Sequence, residues 1–428
     1  MRCANLLCPA GVRPAWLLSI CLSLMITACG GGGSDSNSPA PAGTNTSASA
    51  SSGPGPGASQ TAALTNFQDV VVEAGSSNGI NGLYTSVTVC APANPGNCAI
   101  IDRILVDTGS TGLRLLSSTL PTALRQALPL QNAASGNALV ECTQFADGYS
   151  WGPVRLAGMK LGGETISSVP IQVIGDPAYP TVPSDCSSTG PSENTVAEFG
   201  SNGVLGVGNF EQDCGIGCAQ NAMAGFYYSC GASGCVNTVA ATALQVRQPV
   251  TLLAKDNNGV VVRLPAPPAE GAVSLAGTLI FGIGTQTNNG LGTARVVTLN
   301  PSTGTLPITV NGITYANSFL DSGSNALFFP SPGTPVCHTS FYCPTSPLSL
   351  NVIIQGNNGV NVAQTLTVTN ADTLFTTHPT FAVGPTLGGI AFGPGTVDLG
   401  LPFFFGRTVF NAIEGRSTPG GVGPYVAF

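Results

Sequence analysis

From about residue 66 to its end the chain alternates apolar and polar residues in short runs broken by Gly, Pro and Asn. Asp69-Val-Val-Val-Glu73, Gly82-Leu-Tyr-Thr-Ser-Val-Thr-Val89 and Ala99-Ile-Ile-Asp-Arg-Ile-Leu-Val106 predict strands, since β-branched residues at period two suit a pleated, half-buried surface. Asn258-Gly259, ahead of Val260-Val-Val-Arg-Leu264, predicts a tight hairpin turn, and Phe403-Phe-Phe405 predicts a buried strand. No long helical period interrupts this texture, so the expected fold class is all-β.

Composition strengthens that reading. Charged residues make up 8% of the chain, against 56 Gly and 33 Pro, and lysine occurs only at Lys160 and Lys255, so charged helix faces are hard to build. The formal charge of −7 with so few cations leaves no basic stripe to neutralise a phosphate backbone, which argues against nucleic-acid binding.

The amino-terminal end has its own pattern. Arg2 and Arg13 precede the apolar run Ala15 to Ile26, too short for a confident membrane span, and then Thr27-Ala28-Cys29-Gly30. Residues 1–28 are therefore expected to be a secretory signal. Ile26-Thr27-Ala28-Cys29 resembles a bacterial lipobox, which implies lipid attachment at Cys29 and a chain anchored to the envelope, facing the periplasm or surface at the outer membrane. Residues 29–65, rich in Gly, Ser, Pro and Ala, bury too little to offset their ordering entropy and are expected to form a flexible tether.

Of the 14 cysteines, Cys3, Cys8, Cys21 and Cys29 belong to this leader; the even remainder in an exported chain points to disulfides. Cys90/Cys98, Cys214/Cys218, Cys230/Cys235 and Cys337/Cys343 are close pairs, with Cys142/Cys186 left over, although so many thiols allow other connectivities. A zinc site at Cys214, Cys218, Cys230 and Cys235 is the weaker alternative, because an oxidising compartment favours disulfides over thiolates.

An internal echo organises the rest. Ile104-Leu-Val-Asp-Thr-Gly-Ser-Thr-Gly-Leu113 is answered by Ser318-Phe-Leu-Asp-Ser-Gly-Ser-Asn-Ala-Leu327, and each half later carries an apolar-Gly element, Asn202-Gly-Val-Leu-Gly-Val-Gly208 and Asp398-Leu-Gly-Leu-Pro-Phe-Phe-Phe-Gly406. Two related lobes, 66–245 and 246–428, are expected. An Asp at the end of a buried strand, followed by Gly and hydroxyl residues, gains backbone N–H donors and an oriented carboxylate. Two such turns meeting face to face would share one proton, so that one carboxylate activates water while its partner polarises a carbonyl.

Asp107-Thr-Gly-Ser110 and Asp321-Ser-Gly-Ser324 resemble the two active-site turns of pepsin-like aspartic peptidases, with Gly203-Val-Leu-Gly206 and Leu399-Gly400 similar to that family's apolar-Gly elements. Phe145-Ala-Asp-Gly-Tyr-Ser-Trp-Gly152 is similar to its flap hairpin. The resemblance runs from about residue 68 to 428, and the anchored, Cys-rich chain also looks like bacterial lipoproteins of uncharacterised role. It implies a bilobal double β-barrel with catalytic Asp107 and Asp321, supported by Thr108, Gly109, Ser110, Ser322, Gly323 and Ser324. Phe145, Asp147, Gly148, Tyr149 and Trp151 would then cover a peptide in the interlobe cleft. No cofactor or metal is implied, and a monomer is expected. Two departures stand out: Phe145 where the family usually has Tyr, and Arg114 where it often has Trp. The expected function is accordingly either peptide-bond hydrolysis or binding of extended peptides without turnover.

Overall fold

The computed structural model describes residues 65–428 apart from 77, 78, 339 and 394; the expected signal, the Cys29 lipid site and the tether up to residue 64 lie outside the described residues. Strands form where alternation predicts them: Phe67–Glu73 (β1), Gly82–Ala91 (β2) and Asn94–Asp107 (β3). The protein is predominantly β, with one 15-stranded sheet, one 9-stranded sheet and a two-stranded ribbon. Helix is confined to short pieces, the longest described being the 7 residues Ala371–Thr377. Among the described residues no helix is long and apolar enough to cross a membrane.

The first aspartate turn is built around a central strand. Gly203–Val207 (β7) runs parallel to β3, in register from Ile104↔Gly203 to Asp107↔Gly206. Thr111–Leu116 (β4), the strand that leaves the turn, pairs antiparallel with β7 from the other side. The chain thus enters and leaves Asp107 on either side of β7. Gly206 is needed there, because a Cβ at that position would lie 2.6 Å from the Thr111 nitrogen and 2.7 Å from the Ser110 hydroxyl oxygen.

The second half repeats the device. Strand Ile313–Leu320 pairs parallel with Asp398–Leu399, in register Phe319↔Asp398 and Leu320↔Leu399, and strand Leu327–Phe329 pairs antiparallel with Asp398–Leu399. Gly400 matches Gly206: a Cβ there would lie 2.2 Å from the Ala326 carbonyl oxygen and 2.6 Å from that of Ser324. The halves are also joined through the large sheet, where β1 pairs antiparallel with Leu275–Phe281 from Phe67↔Ile280 to Val72↔Leu275.

Ala138–Gln144 (β5) and Tyr149–Leu161 (β6) form a hairpin whose tip is closed by the Phe145 N–H donating to the Gly148 carbonyl at 2.7 Å. A buried cation ties this hairpin to the first aspartate turn. Arg114, on β4 and 1% exposed, donates from Nε to Thr143 Oγ1 at 2.9 Å and from Nη2 to Glu141 Oε1 at 2.7 Å and Asp213 Oδ2 at 3.0 Å. Thr143 donates onward to Gln172, whose amide donates to the Glu141 carbonyl, and the Tyr227 hydroxyl donates to Asp213. Burial opposes the charge on Arg114, but Glu141 and Asp213 outweigh it and hold the guanidinium pKa up. Asp213 is itself pushed well above the carboxylate range, first by burial and then by Glu141.

All ten cysteines among the described residues are bonded: Cys90–Cys98, Cys142–Cys186, Cys214–Cys218, Cys230–Cys235 and Cys337–Cys343. Their sulfurs are not thiolates, which removes the zinc alternative. Two local expectations are corrected. Leu401–Phe404 is a short helical turn rather than a strand, with Pro402 in its first turn and every side chain buried. Asn258-Gly259 closes no two-residue hairpin. The Asn258 amide instead bridges loops, donating to the Ile283 carbonyl at 3.1 Å and the Ser417 carbonyl at 3.0 Å, while Gly259 opens a strand paired with Thr408–Ala412.

Arg114→Met should lower stability by about 3–5 kcal/mol, the cost of leaving buried carboxylates without their cation, read as a fall in the urea midpoint at neutral pH. The triple variant Arg114→Met, Glu141→Gln, Asp213→Asn should recover most of that loss.

Candidate active site: the paired aspartate turns

The two turns satisfy their own carboxylates first. The Gly109 N–H donates to Asp107 Oδ1 at 2.7 Å, and the Gly323 N–H donates to Asp321 Oδ1 at 2.8 Å. They then interlock. The Thr108 N–H donates to Ser322 Oγ at 3.1 Å and the Ser322 N–H to Thr108 Oγ1 at 3.0 Å. Each hydroxyl passes its proton to a carbonyl at the end of the opposite strand, Ser322 to Val106 at 2.8 Å and Thr108 to Leu320 at 3.4 Å. One hydroxyl on each side therefore both accepts and donates across the junction, which only Ser or Thr can do at this size.

Glycine at 109 and 323 lets the carboxyls approach. A Cβ on Gly109 would lie 2.7 Å from Asp321 Cγ, and one on Gly323 would lie 2.7 Å from Asp107 Cγ. Each aspartate lies against the backbone of the opposite turn. The Gly109 N–H also reaches Asp321 Oδ1 at 3.2 Å, so one donor serves both carboxyls. Both are fully buried. Burial above all, then the charge of Asp107 and then that of Asp398, pushes the Asp321 pKa well above the carboxylate range. Like charges so close in a buried site oppose one another's ionisation, which is the second cause of the upward shift at Asp321.

The symmetry is incomplete. Ser324 Oγ donates to Asp321 Oδ2 at 3.0 Å, whereas Ser110 Oγ and Asp107 Oδ2 are buried without a protein hydrogen bond to a fixed donor or acceptor. A buried oxygen of the pair and the buried Ser110 hydroxyl thus have polar capacity that a water or a substrate atom could satisfy. Two clefts border the turns. One is lined by Thr108, Ser110, Asn209, Asp213, Leu299 and Phe319 among others. The other is lined by Ile80, Tyr84, Asp147, Phe199, Gly323 and Asn325 among others.

Of the residues singled out in the sequence, the structure gathers Asp107, Thr108, Gly109, Ser110, Asp321, Ser322, Gly323 and Ser324 at one junction. From the hairpin, Asp147 lines the second cleft. Phe145 turns inward and meets Phe199 edge-on at 5.7 Å, lining neither cleft. Gly148 lies against Pro191 and Glu193. Tyr149 and Trp151 pack with the Cys142–Cys186 bridge and Tyr228, and the Trp151 indole N–H donates to the Tyr179 carbonyl at 3.0 Å. Asp398 was hidden in the sequence inside an apolar-Gly element. Its signal was an acid interrupting a run whose counterpart in the first half is the apolar Val204.

Fold and site together define a predominantly β protein centred on two interlocked, buried acidic turns. The chain belongs to the DUF3443 family of proteins of unknown function, whose model matches residues 62–428. A search of curated proteins finds no match.

Thr108→Val and Ser322→Ala should each cost about 1–3 kcal/mol, because each strands an N–H and a carbonyl of the opposite turn. The double variant should fall short of the sum, since both belong to one reciprocal unit; urea denaturation of the four-member cycle reads this. A raised carboxyl pKa means that the folded state binds the extra proton. The stability it gives is present below the unfolded value of about 3.9 and is lost as pH rises through the folded value. Asp321→Asn should therefore gain stability relative to wild type as pH rises from about 4 to 8, measured by urea midpoints across that range.

Proposed function

We propose that this protein is an envelope-anchored aspartic endopeptidase of pepsin-like, bilobal architecture, with catalytic Asp107 and Asp321 at the junction of its two halves. The observation that carries the reading is the reciprocal pairing of Thr108 and Ser322, which sets two buried carboxyls against each other's turns so that the Gly109 N–H reaches both Asp107 Oδ1 and Asp321 Oδ1. Lipid attachment at Cys29 and the tether after it would hold the protein at the outer membrane.

In this reaction the ionised carboxylate of the pair takes a proton from a water bound near Asp107 Oδ2 and Ser110 Oγ. The water oxygen attacks the peptide carbonyl carbon as the protonated partner donates to the carbonyl oxygen. The tetrahedral intermediate returns that oxygen's proton to the pair, the amide nitrogen takes a proton, and the C–N bond breaks. No metal is needed, because the shared proton supplies the electrophile. An extended peptide would run through both clefts, adding to the site as a strand.

A second reading, peptide binding without turnover, is favoured by one observation: Phe145 at the hairpin tip brings no hydroxyl to the pair and turns into the core. One experiment separates the two. Wild type, Asp107→Asn and Asp321→Asn are incubated with a peptide library from about pH 3 to 8, and products are read by mass spectrometry. A peptidase cleaves in acid, loses activity as the pair gives up its shared proton, and falls by about 10²-fold or more in either variant. Equal profiles from all three proteins, with retained peptide binding, would establish the second reading.

A further inference from the structure

The second half carries a half-buried cation that pairs with no described acid. Strand Gly259–Arg263 runs antiparallel to Thr408–Ala412, and the register Arg263↔Thr408 sets Arg263 beside the residue before Thr408, Arg407. Arg407 donates from Nη1 to the Phe403 carbonyl at 2.6 Å and the Phe405 carbonyl at 3.3 Å, and from Nη2 to Gln364 Oε1 at 3.0 Å. Its guanidinium carbon stands 4.5 Å from the centre of the Phe403 ring. Every one of these acceptors is neutral. Arg263, which is exposed, donates to the Asn288 carbonyl at 3.0 Å, and neither arginine forms an ion pair with a described residue. The contrast with Arg114 is direct. There two carboxylates hold the guanidinium pKa up, whereas at Arg407 burial lowers it and no acid offsets the fall.

Both arginines line one cleft, whose walls include Gln364, Leu291, Phe410 and Phe428. No Asp or Glu lines it, and it shares no lining residue with the two clefts at the aspartate turns. The Phe428 carbonyl is turned to the Arg295 N–H, from which it accepts at 3.0 Å. A guanidinium has five N–H donors. The three bonds of Arg407 leave its Nε–H and one Nη2 hydrogen without a partner among the described residues, and Nε is not sealed from solvent.

We propose that this cleft is a carboxylate site: Arg407 takes the two oxygens of an organic acid, Arg263 adds charge from the rim, and Leu291, Phe410 and Phe428 receive an apolar group next to the carboxylate. Two N–H donors on one planar cation match the two oxygens of a carboxylate. A phosphate fits less well, because its remaining oxygens would face those three apolar side chains and lose water without gaining a donor. Gln364 and the two backbone carbonyls fix the guanidinium before any ligand arrives, so little side-chain freedom is lost on binding. The acid is a small molecule or the free carboxyl end of a peptide, and the chemistry at the site is the same for both. This assignment goes beyond hydrolysis at the paired aspartates and does not depend on it.

The test uses the full chain, uniformly labelled with ¹³C and ¹⁵N, with the Arg407 Nε–H signal assigned through its own backbone. The protein is titrated at slightly acidic pH with N-acetyl-L-phenylalaninate, with the uncharged amide of that acid, and with inorganic phosphate. The acid should shift the Arg407 Nε–H saturably and bind about tenfold or more tighter than the amide. Arg407→Lys keeps the charge but loses the fork and should weaken binding by about tenfold; Arg263→Gln should weaken it by about threefold. If Arg407→Lys does not fold, the wild-type shift and Arg263→Gln carry the test. Acid binding no tighter than the amide, binding unchanged in a folded Arg407→Lys or in Arg263→Gln, or tighter binding of phosphate than of the acid would each overturn the proposal. A peptide ending in free phenylalanine, set against its amide, then distinguishes the source. Tighter binding of the free peptide than of N-acetyl-L-phenylalaninate identifies a chain terminus as the ligand, weaker binding identifies a small acid, and with either the site stands.

Discussion

Everything at the centre of this protein depends on four hydrogen bonds exchanged between Thr108 and Ser322 and the chain opposite each. Two carboxyls taken fully out of water repel unless a proton lies between them, and their burial is unfavourable on its own. The exchange makes separation costly: parting the turns would strand two N–H groups and two carbonyls as well as two acids. Gly109 and Gly323 complete the constraint, since a Cβ at either would collide with the opposite carboxyl. The fold is arranged to keep this contact, with β7 and the Asp398–Leu399 strand each clasped between the strands entering and leaving a turn.

Much of this was legible in the sequence because the turns are local. Asp-Thr-Gly-Ser and Asp-Ser-Gly-Ser encode their own carboxylate donors, and the apolar strands ahead of them alternate plainly, so the all-β class and the matched aspartates follow from short windows. Four of the five disulfides join cysteines that lie close together in the sequence. What stayed hidden depends on contacts between distant segments. Phe145 and Trp151 lie in one hairpin, yet packing sends the first toward Phe199 and the second toward Tyr228. Neither direction is written in the local pattern. Phe403 misled because an apolar triplet suits a strand and a buried helical turn equally, and Pro402 decided for the turn. Asn258-Gly259 misled because the asparagine amide serves a bridge rather than a turn.

Arg114 shows how a departure from a familiar pattern can be absorbed. A planar cation where an aromatic was expected is held by a side-chain hydroxyl and two carboxylates, and the hydrogen bonds continue through Gln172 and Tyr227. Such a network is directional, so it fixes the hairpin relative to the first aspartate turn more tightly than apolar contact alone would. It also places a second close pair of acids, Glu141 and Asp213, near the cleft that Asp213 lines.

The pairing of β1 with Leu275–Phe281 bears on how the molecule is assembled in time. A chain emerging from its amino end presents Phe67–Glu73 early, with β2 available on one flank, but its other flank has no partner until Phe281 has appeared. Closing so long a loop is entropically slow, and an unpaired strand edge invites association with other chains in the meantime. Completion of this sheet is thus a late event, and a nascent chain stopped before Leu275 would keep a sticky margin that the finished molecule conceals.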